Sequence, residues 1–523
     1  MTTTCIRNAD WVVRWNPDED RHEYLRGADV VFRDDAFIHV GPGYAGAVDE
    51  EIDGLSLMAM PGLVNIHCHP TNQPITRAIR EEIANPSLYM TALYDRTGLW
   101  RADQEALLSG AAIAYGELLK SGVTSVVDYA AAVPDGWVDQ MAQSGLRIFA
   151  APSYRDASWS VHNESRLDYS WSPDDGQRQF DAALALVDQT TEHACGRLTG
   201  MIAPGQVDTC TEDTFARSLA AAKQRGLVLQ THAAQSLPEF HEMTRRTGKT
   251  PIQWLGDIGV LGPGTIVAHG IFTDEHSWTR WHSRDDLALL AETGTTVAHC
   301  PVVFSRYGHK LESFGKYQRA GINMGIGTDT APHNLLEEMR EAIILSRIAA
   351  GRVDDATARD VFNAVTVNGA RALGRTDIGR LGVGAKADMV LVDLGHPLMR
   401  PGRDPLRNLI FTAADRAVKH VYVDGEKLVA DGKVLSLDCG AATEKLEAAQ
   451  ARGMCVVAGK VMMDRNCPQD LTDDVTNGVR DVHALIERWH GVGRLSYAVT
   501  PRFAPTSSPD QLAACGELLS SAP

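Results

Sequence analysis

The chain has 523 residues, with 50 basic against 67 acidic side chains and a formal net charge of −17. That length suffices for one large domain plus one or two smaller units, and the acidic balance works against sequence-independent attraction to nucleic acid or an anionic membrane, which leaves small molecules as expected partners. No run approaches the roughly 20 apolar residues of a membrane span and no basic region precedes an apolar run at the N-terminus, so a cytoplasmic protein is expected, and nine scattered cysteines without CxxC spacing fit reduced thiols.

From the N-terminus, ADWVV (9–13) and GADVVFRDDAFIHVGP (27–42) read as short strands around an Asp34-Asp35 turn. The same signature returns in IGRLGVGAKADMVLVDL (378–394) and AVKHVYVDGEKLV (417–429). Residues 1–58 and 376–435 are therefore expected to form one composite β-sandwich. Between them, residues 59–375 repeat one grammar: an amphipathic helix, a Gly stop, a short β-branched strand and a polar residue. FARSLAAAKQRGLVLQ leads to His232, IQWLGDIGVLGPGTIVA to His269, DLALLAETGTTVA to His299 and FGKYQRAGINMGIGT to Asp329. Helices alternating with short buried strands predict parallel βαβ units that close into a TIM-like (β/α)8 barrel, an α/β fold. Residues just past the strand C-termini face the active site of such a barrel, so these four converge on one mouth. Two earlier copies of the pattern lie at 105–129 and 141–156; the polar, Trp-rich stretch 154–195 reads as a long loop with a lid role.

The strongest local signal is MPGLVNIHCHP (60–70). Residues i and i+2 of a strand share a face, so His67 and His69 can reach one ion at about 2.0–2.1 Å, while Cys68 points to the core. Histidines at the ends of later strands and Asp329 at the end of the last extend this to a donor set of neutral imidazoles and one carboxylate, suited to one divalent ion of zinc type; iron and cobalt accept the same donors. The open position takes a water whose pKa the metal lowers. Asp329 can both touch the metal and take the water's proton, which makes it the candidate general base. His309 and His333 flank the mouth as polar loop histidines, expected to be solvated, and Trp100, Trp159 and Trp171 are candidates for stacking on an aromatic substrate or for packing.

PGLVNIHCH, THAAQS, VAHG, VAHCP and GIGTD, in this order, resemble the amidohydrolase superfamily, nearest its aminohydrolase branch of triazine hydrolases, cytosine and guanine deaminases and adenosylhomocysteine-type deaminases. The resemblance covers about residues 1–435. It implies His67, His69, His232 and Asp329 as metal ligands, His269 hydrogen-bonded to the attacking water or substrate, and His299 facing the substrate. RLTGMIAPG (197–205) lacks the lysine that binuclear relatives carboxylate, which favours a mononuclear site. Deaminases of this branch carry His-x-x-Glu, whereas this chain has His232-Ala-Ala-Gln235, and a carboxamide cannot shuttle a proton. Gln235 is then a substrate-binding candidate. The expectation is hydrolysis of an amide, carbamate or urea C–N bond, with 299–334 and 232–243 resembling phenylurea and thiocarbamate hydrolases. The alternatives are an aminohydrolase or dehalogenase on an N-heteroaromatic ring, of triazine or guanine type, and a non-catalytic barrel acting in assembly.

Beyond about residue 440 the grammar changes. MDRNCPQDL (463–471) and ALIERWHGVGRLSYAVTPRFAPTSSPDQL (484–512) resemble an internal stretch of guanine deaminase, and residues 440–523 read as one strand, helix, strand unit without a barrel to complete. Arg502, which by resemblance would contact a purine, has no metal centre of its own there. This extension is expected to be a gene-fusion remnant. The whole chain is expected to be a homo-oligomer acting on a small molecule, without nucleic acid or membrane.

Overall fold

The computed structural model describes residues 2–72, 104–162, 166–452, 456–492 and 495–521; Trp100 lies outside them. The N-terminal segment alternates short strands with tight turns: β1 (Thr3–Ala9), β2 (Trp11–Asn16), β3 (Arg21–Leu25), β4 (Ala28–Arg33), β5 (Ala36–Gly41), β6 (Glu50–Asp53) and β7 (Leu57–Pro61). Asn8, Asp20 and Asp34 take positive φ at the turns, a conformation that short polar side chains tolerate better than most. Gly62 then leads into the barrel so close to its neighbour that a Cβ would stand 2.1 Å from Thr124 Oγ1.

The barrel strands are β8 (Leu63–Cys68), β9 (Val123–Ala130) and β10 (Arg147–Tyr154), then, past the hairpin β11 (Ala157–His162) and β12 (Arg166–Trp171), the broken strand β13 (Leu198–Gly200) and β14 (Ala203–Pro204). β15 (Leu229–Ala233), β16 (Thr265–His269), β17 (Thr296–His299) and β18 (Asn323–Ile326) complete it. The intervening helices are α1 (Gln104–Lys120), α2 (Trp137–Ser144), α3 (Pro173–Thr191), α4 (Glu212–Arg225), α5 (Leu237–Thr247), α6 (Pro251–Asp257), α7 (Asp286–Glu292), α8 (Pro301–Ser305) and α9 (Phe314–Arg319), with α10 (Leu335–Ala350) after the last strand. Two parallel sheets, β8 to β14 and β15 to β18, are joined at both seams by bridges, Cys68 to Asp329 on one side and Ile202 to Leu229 and Gln206 to His232 on the other. The result is a closed (β/α)8 cylinder. Its inside is packed, because Ile66, Val127, Phe149, Met201, Ile266 and Ala298, drawn from strands all round the ring, share one core.

After the barrel the chain returns as β19 (Met389–Asp393), β20 (Val418–Val423), β21 (Glu426–Ala430) and β22 (Lys433–Val434). These form one seven-stranded sheet with β7, β2 and β3, beside the four-stranded sheet of β5, β4, β1 and β6. Ile6, Val30, Phe37, Leu57, Met389 and Tyr422 share the core of the two sheets. The segment 154–195, read above as a loop, instead holds the β11–β12 hairpin and the 19-residue helix α3. Its apolar positions, Phe180, Ala183 and Val187, are buried, but the surrounding Asp and Gln residues obscure that stripe.

The chain divides into two compact units, Met1–Leu446 and Glu447–Pro523. Helix α11 (Cys439–Arg452) begins in the first, where Ala442 and Leu446 pack on Ala112 and Ile113 of α1. The second unit has β23 (Val456–Ala458) parallel to β25 (Leu495–Tyr497), with α12 (Val475–Trp489) between them, and β24 (Val461–Met462) parallel to β26 (Thr500–Pro501). A further helix, α13 (Pro509–Ser521), adds Cys515 and Leu518 to a small core with Met462, Val482 and Ile486. No described helix is long and apolar enough to cross a membrane.

Two predictions follow from packing. A chain ending at Arg452 keeps Ala442 and Leu446 in place, whereas one ending at residue 440 loses that contact of about 1–2 kcal/mol. Scanning calorimetry should place the shorter chain's Tm lower by about 1–3 °C, and equal values would refute the contact's contribution. The second concerns Asp128, fully buried on β9, whose Oδ2 accepts from Tyr115 Oη and Trp137 Nε1 while Oδ1 has no partner. Burial pushes its carboxyl from 3.8 up to about 7. The folded state therefore holds this proton more tightly, and stability present below pH ~4 is lost as pH rises through ~7. Asp128→Asn keeps both accepted bonds and removes the titration, so its Tm advantage over the parent chain should grow from pH 5 to pH 8.

Candidate metal centre

The mouth of the barrel is assembled by main-chain bonds before any side chain acts. Asp329 follows β18 and donates its N–H to the His67 carbonyl at 3.0 Å, and His69 donates its N–H to the Asp329 carbonyl at 2.7 Å. The first and last strands are thereby stapled at the residues that carry donor groups. A register shift between Asn65 and Cys68 marks a bulge at the end of β8, a device that re-aims side chains beside functional sites. Ala234, His269 and Asp329 all take positive φ, at 54°, 80° and 51°. Such non-glycine conformations cost about 1–3 kcal/mol each and persist where the surroundings over-determine them.

Three imidazoles are held in one tautomer. His69 Nδ1 donates to the Tyr129 carbonyl at 2.7 Å and His232 Nδ1 to the Gly205 carbonyl at 2.7 Å. His67 Nδ1 lies 2.8 Å from Gln230 Oε1, and Gln230 Nε2 donates to the Ile66 carbonyl, which fixes the amide's orientation. Each ring therefore presents a lone pair at Nε2. These nitrogens converge: His232 Nε2 is 3.3 Å from His69 Nε2, and Asp329 Oδ1 is 3.4 Å from His69 Nε2 and 4.0 Å from His67 Nε2. Two tetrahedral ligands at zinc–nitrogen distance stand roughly 3.3–3.4 Å apart. His67 Nε2 is buried with no hydrogen-bond partner, and neutral lone pairs facing one another beside a carboxylate call for a cation among them. Donor atoms of His67, His232 and His269 lie mutually within 4.8 Å, as do those of His67, His69 and Asp329. The residues fit a divalent metal.

Charge agrees with that fit. Burial, reinforced by neighbouring imidazoles, holds His67 and His269 well below the ordinary histidine range and His232 down to about 4. Burial alone takes His299 to about 3. All four rings are thus neutral at neutral pH, the form that coordinates or accepts. His269 ends β16 fully buried, edge-on to His67 at 5.0 Å and to Phe304 at 4.7 Å, with neither ring nitrogen hydrogen-bonded among the described residues. His299 ends β17, its Nδ1 also without a partner. Gln235 is buried, donates its backbone N–H to Glu239 Oε2 at 3.1 Å and has no partner for Oε1.

His309 and His333, expected in solvent, are buried at 1% and 0% exposure. His309 packs edge-on to Phe272 and Trp278, and His333 Nδ1 lies 3.3 Å from both Cys68 Sγ and Thr328 Oγ1. Aromatic rings distant in sequence pack on His309, and His333 meets Cys68 of the first barrel strand. Cys68 is fully buried. Trp159 Nε1 and Tyr169 Oη donate to Asp208 Oδ2, and Arg246 lies over the rings of Tyr169 and Trp171 at 4.4 and 4.8 Å, so this hairpin is pinned to the strand-four end of the barrel.

The residues that orient the rings, Tyr129, Gly205 and Gln230, carry no sequence pattern. Glu239 does: Ser236-Leu-Pro-Glu239 has the spacing of a helix capping box. Ser236 Oγ accepts from the Glu239 N–H, and the glutamate reaches back to Ala234 and Gln235.

A closed parallel barrel with five clustered donors at the C-terminal ends of its strands defines a class, the barrel hydrolases of the metal-dependent kind. The model of the Amidohydrolase family matches residues 58–435. A 5-methylthioadenosine/S-adenosylhomocysteine deaminase of Natronomonas pharaonis is 28% identical over 436 residues, covering 81% of this chain and 93% of that protein. A 5'-deoxyadenosine deaminase of Methanosarcina mazei is 30% identical over 446 residues, covering 84% and 95%. Among solved structures, an adenosine deaminase from Xanthomonas campestris with bound zinc superposes with a TM-score of 0.74 at 24% identity over 87% of this chain and 99% of that one. The chain belongs to the amidohydrolase family and is a hydrolase of carbon–nitrogen bonds other than peptide bonds. Residues beyond 435 fall outside the match.

Replacing His67 with Ala should reduce metal in the purified protein, measured by plasma emission, from about one equivalent to less than roughly a tenth, with a lower Tm that added metal does not restore. Full metal content in that variant would remove His67 from the centre.

Proposed function

We propose that the protein is a mononuclear metal-dependent aminohydrolase that releases ammonia from an aminated N-heteroaromatic ring of the adenine-nucleoside class. The observation that carries this reading is the convergence of His67, His69, His232 and Asp329 with tautomers fixed for coordination, in a chain whose relatives are named as nucleoside deaminases. The preference for amides, carbamates and ureas drawn from the sequence gives way to this alternative, because none of those relatives is a urea or carbamate hydrolase.

His67, His69, His232 and Asp329 would hold the ion, zinc by the Xanthomonas precedent. A divalent ion there supplies Lewis acidity that draws the pKa of water towards neutrality. Asp329, set among neutral imidazoles, accepts the proton released and returns it to the departing amine. His269, with no other side chain bonded at either nitrogen, hydrogen-bonds water or the ring substituent under attack. His299 faces the substrate from the next strand. Gln235 offers one donor and one acceptor, the complement of a ring nitrogen beside an exocyclic amine.

Gln235 also sustains the second reading, since a carboxamide carries no proton to a ring nitrogen and a polarised urea or amide carbonyl needs none. One panel separates them: ammonia release from adenosine, 5'-deoxyadenosine, 5'-methylthioadenosine and guanine, against hydrolysis of phenylureas, N-aryl amides and thiocarbamates. Turnover of an adenosine-type nucleoside at least ~100-fold above the ureas is expected; the reverse order overturns the proposal. Gln235→Glu should raise kcat on the nucleosides by about 10-fold or more, as general acid–base groups do.

A further inference from the structure

Glu239 lies one helical turn into α5 and is fully buried. Among the described residues its carboxylate accepts from three N–H groups and no cation: Oε1 from the backbone of Ala234 at 2.6 Å, Oε2 from the backbone of Gln235 at 3.1 Å and from Gln206 Nε2 at 3.0 Å. Each of these leads to a different part of the centre. Gln206 adjoins Gly205, whose carbonyl holds His232 Nδ1, and Gln206 itself bridges to the His232 backbone. Ala234, two residues past His232, sits at positive φ, and its carbonyl accepts from the N–H groups of Ile271 and Phe272 at 2.9 and 2.8 Å, immediately after His269. Gln235 is the residue placed against the substrate. One carboxylate therefore ties together the ends of β14, β15 and β16.

We propose that Glu239 is a positioning residue, holding His232, His269 and Gln235 in the relative placement that the metal and substrate require, without touching either. This rests on the metal-centre reading above. The carboxylate is the right group because each group hydrogen-bonded to it is a donor. A carboxamide in its place turns one oxygen into a donor facing N–H groups, and leaves at least one of them without an acceptor. Groups that orient metal ligands from behind typically change metal affinity by about 10–100-fold when altered.

The test uses the full-length protein stripped of metal and reloaded with Co2+, read by visible absorption and by competition with a chelating dye. Glu239→Gln is expected to weaken Co2+ binding about 10-fold or more and to shift the visible bands, with Glu239→Asp recovering part of both because an acceptor remains. A purely structural role would lower Tm and leave the spectrum and affinity of the folded fraction unchanged, and that result overturns the proposal. Should Glu239→Gln fail to fold, Gln206→Ala breaks a single arm of the network: weaker Co2+ binding at near-parent Tm supports the proposal, and parent-like binding overturns it. If the parent protein itself binds no Co2+, the metal-centre reading has failed, which the variants' comparison with each other does not mimic.

Discussion

The seam between the last barrel strand and the first decides everything at the mouth. Asp329 and His69 exchange no side-chain chemistry to form it; an amide and a carbonyl on each side close the ring, and Cys68 bridges to Asp329 in parallel register. A carboxylate would not stay 3.4 Å from His69 Nε2 and 4.0 Å from His67 Nε2 on a flexible loop, because side-chain and backbone ordering cost more than one such contact returns. Closure by the main chain places these donors without that cost. The same logic extends round the ring, where carbonyls of Tyr129 and Gly205 and the amide of Gln230 hold imidazoles from behind. The backbone does the selecting, and the side chains inherit the geometry.

Much of this was legible in the sequence, and the reason is periodicity. Helix, Gly stop, β-branched strand and terminal polar residue recur because each βαβ unit must bury a strand on both faces, so barrel strands announce themselves. His67, His69, His232, His269, His299 and Asp329 could be picked out because each terminates such a run. Helix α3 escaped because Asp and Gln crowd its N-terminal half, leaving a stripe of only a few apolar residues. His309 and His333 were misjudged for another reason: Phe272, Trp278, Thr328 and Cys68 bury them, and no local pattern reports a tertiary neighbour.

Function was less legible than fold. The departure at Gln235 is a real difference in proton chemistry, yet it bears on one position, whereas the likeness to a nucleoside deaminase runs through more than four-fifths of the chain. Buried carboxyls add to the picture. Burial pushes Glu239 and Asp208 above the ordinary carboxylate range, reinforced at Glu239 by the charge of Asp208, so each needs its N–H, O–H or indole donors to remain an acceptor, and the mouth is correspondingly rich in them.

The composite sandwich has a consequence for how the molecule is made. Strand β7 pairs with β19, Pro61 opposite Met389, with the entire barrel lying between them in the chain. As the protein leaves the ribosome, β2 can pair with β3 and β7 at once, but the other edge of β7 has no partner until the barrel has been synthesised and β19 emerges. Contacts of such sequence separation form late and slowly, and that edge of β7 stays unpaired meanwhile, the kind of surface on which chaperones and aggregation compete. The two ends of the sandwich can therefore meet only after everything between them has been synthesised.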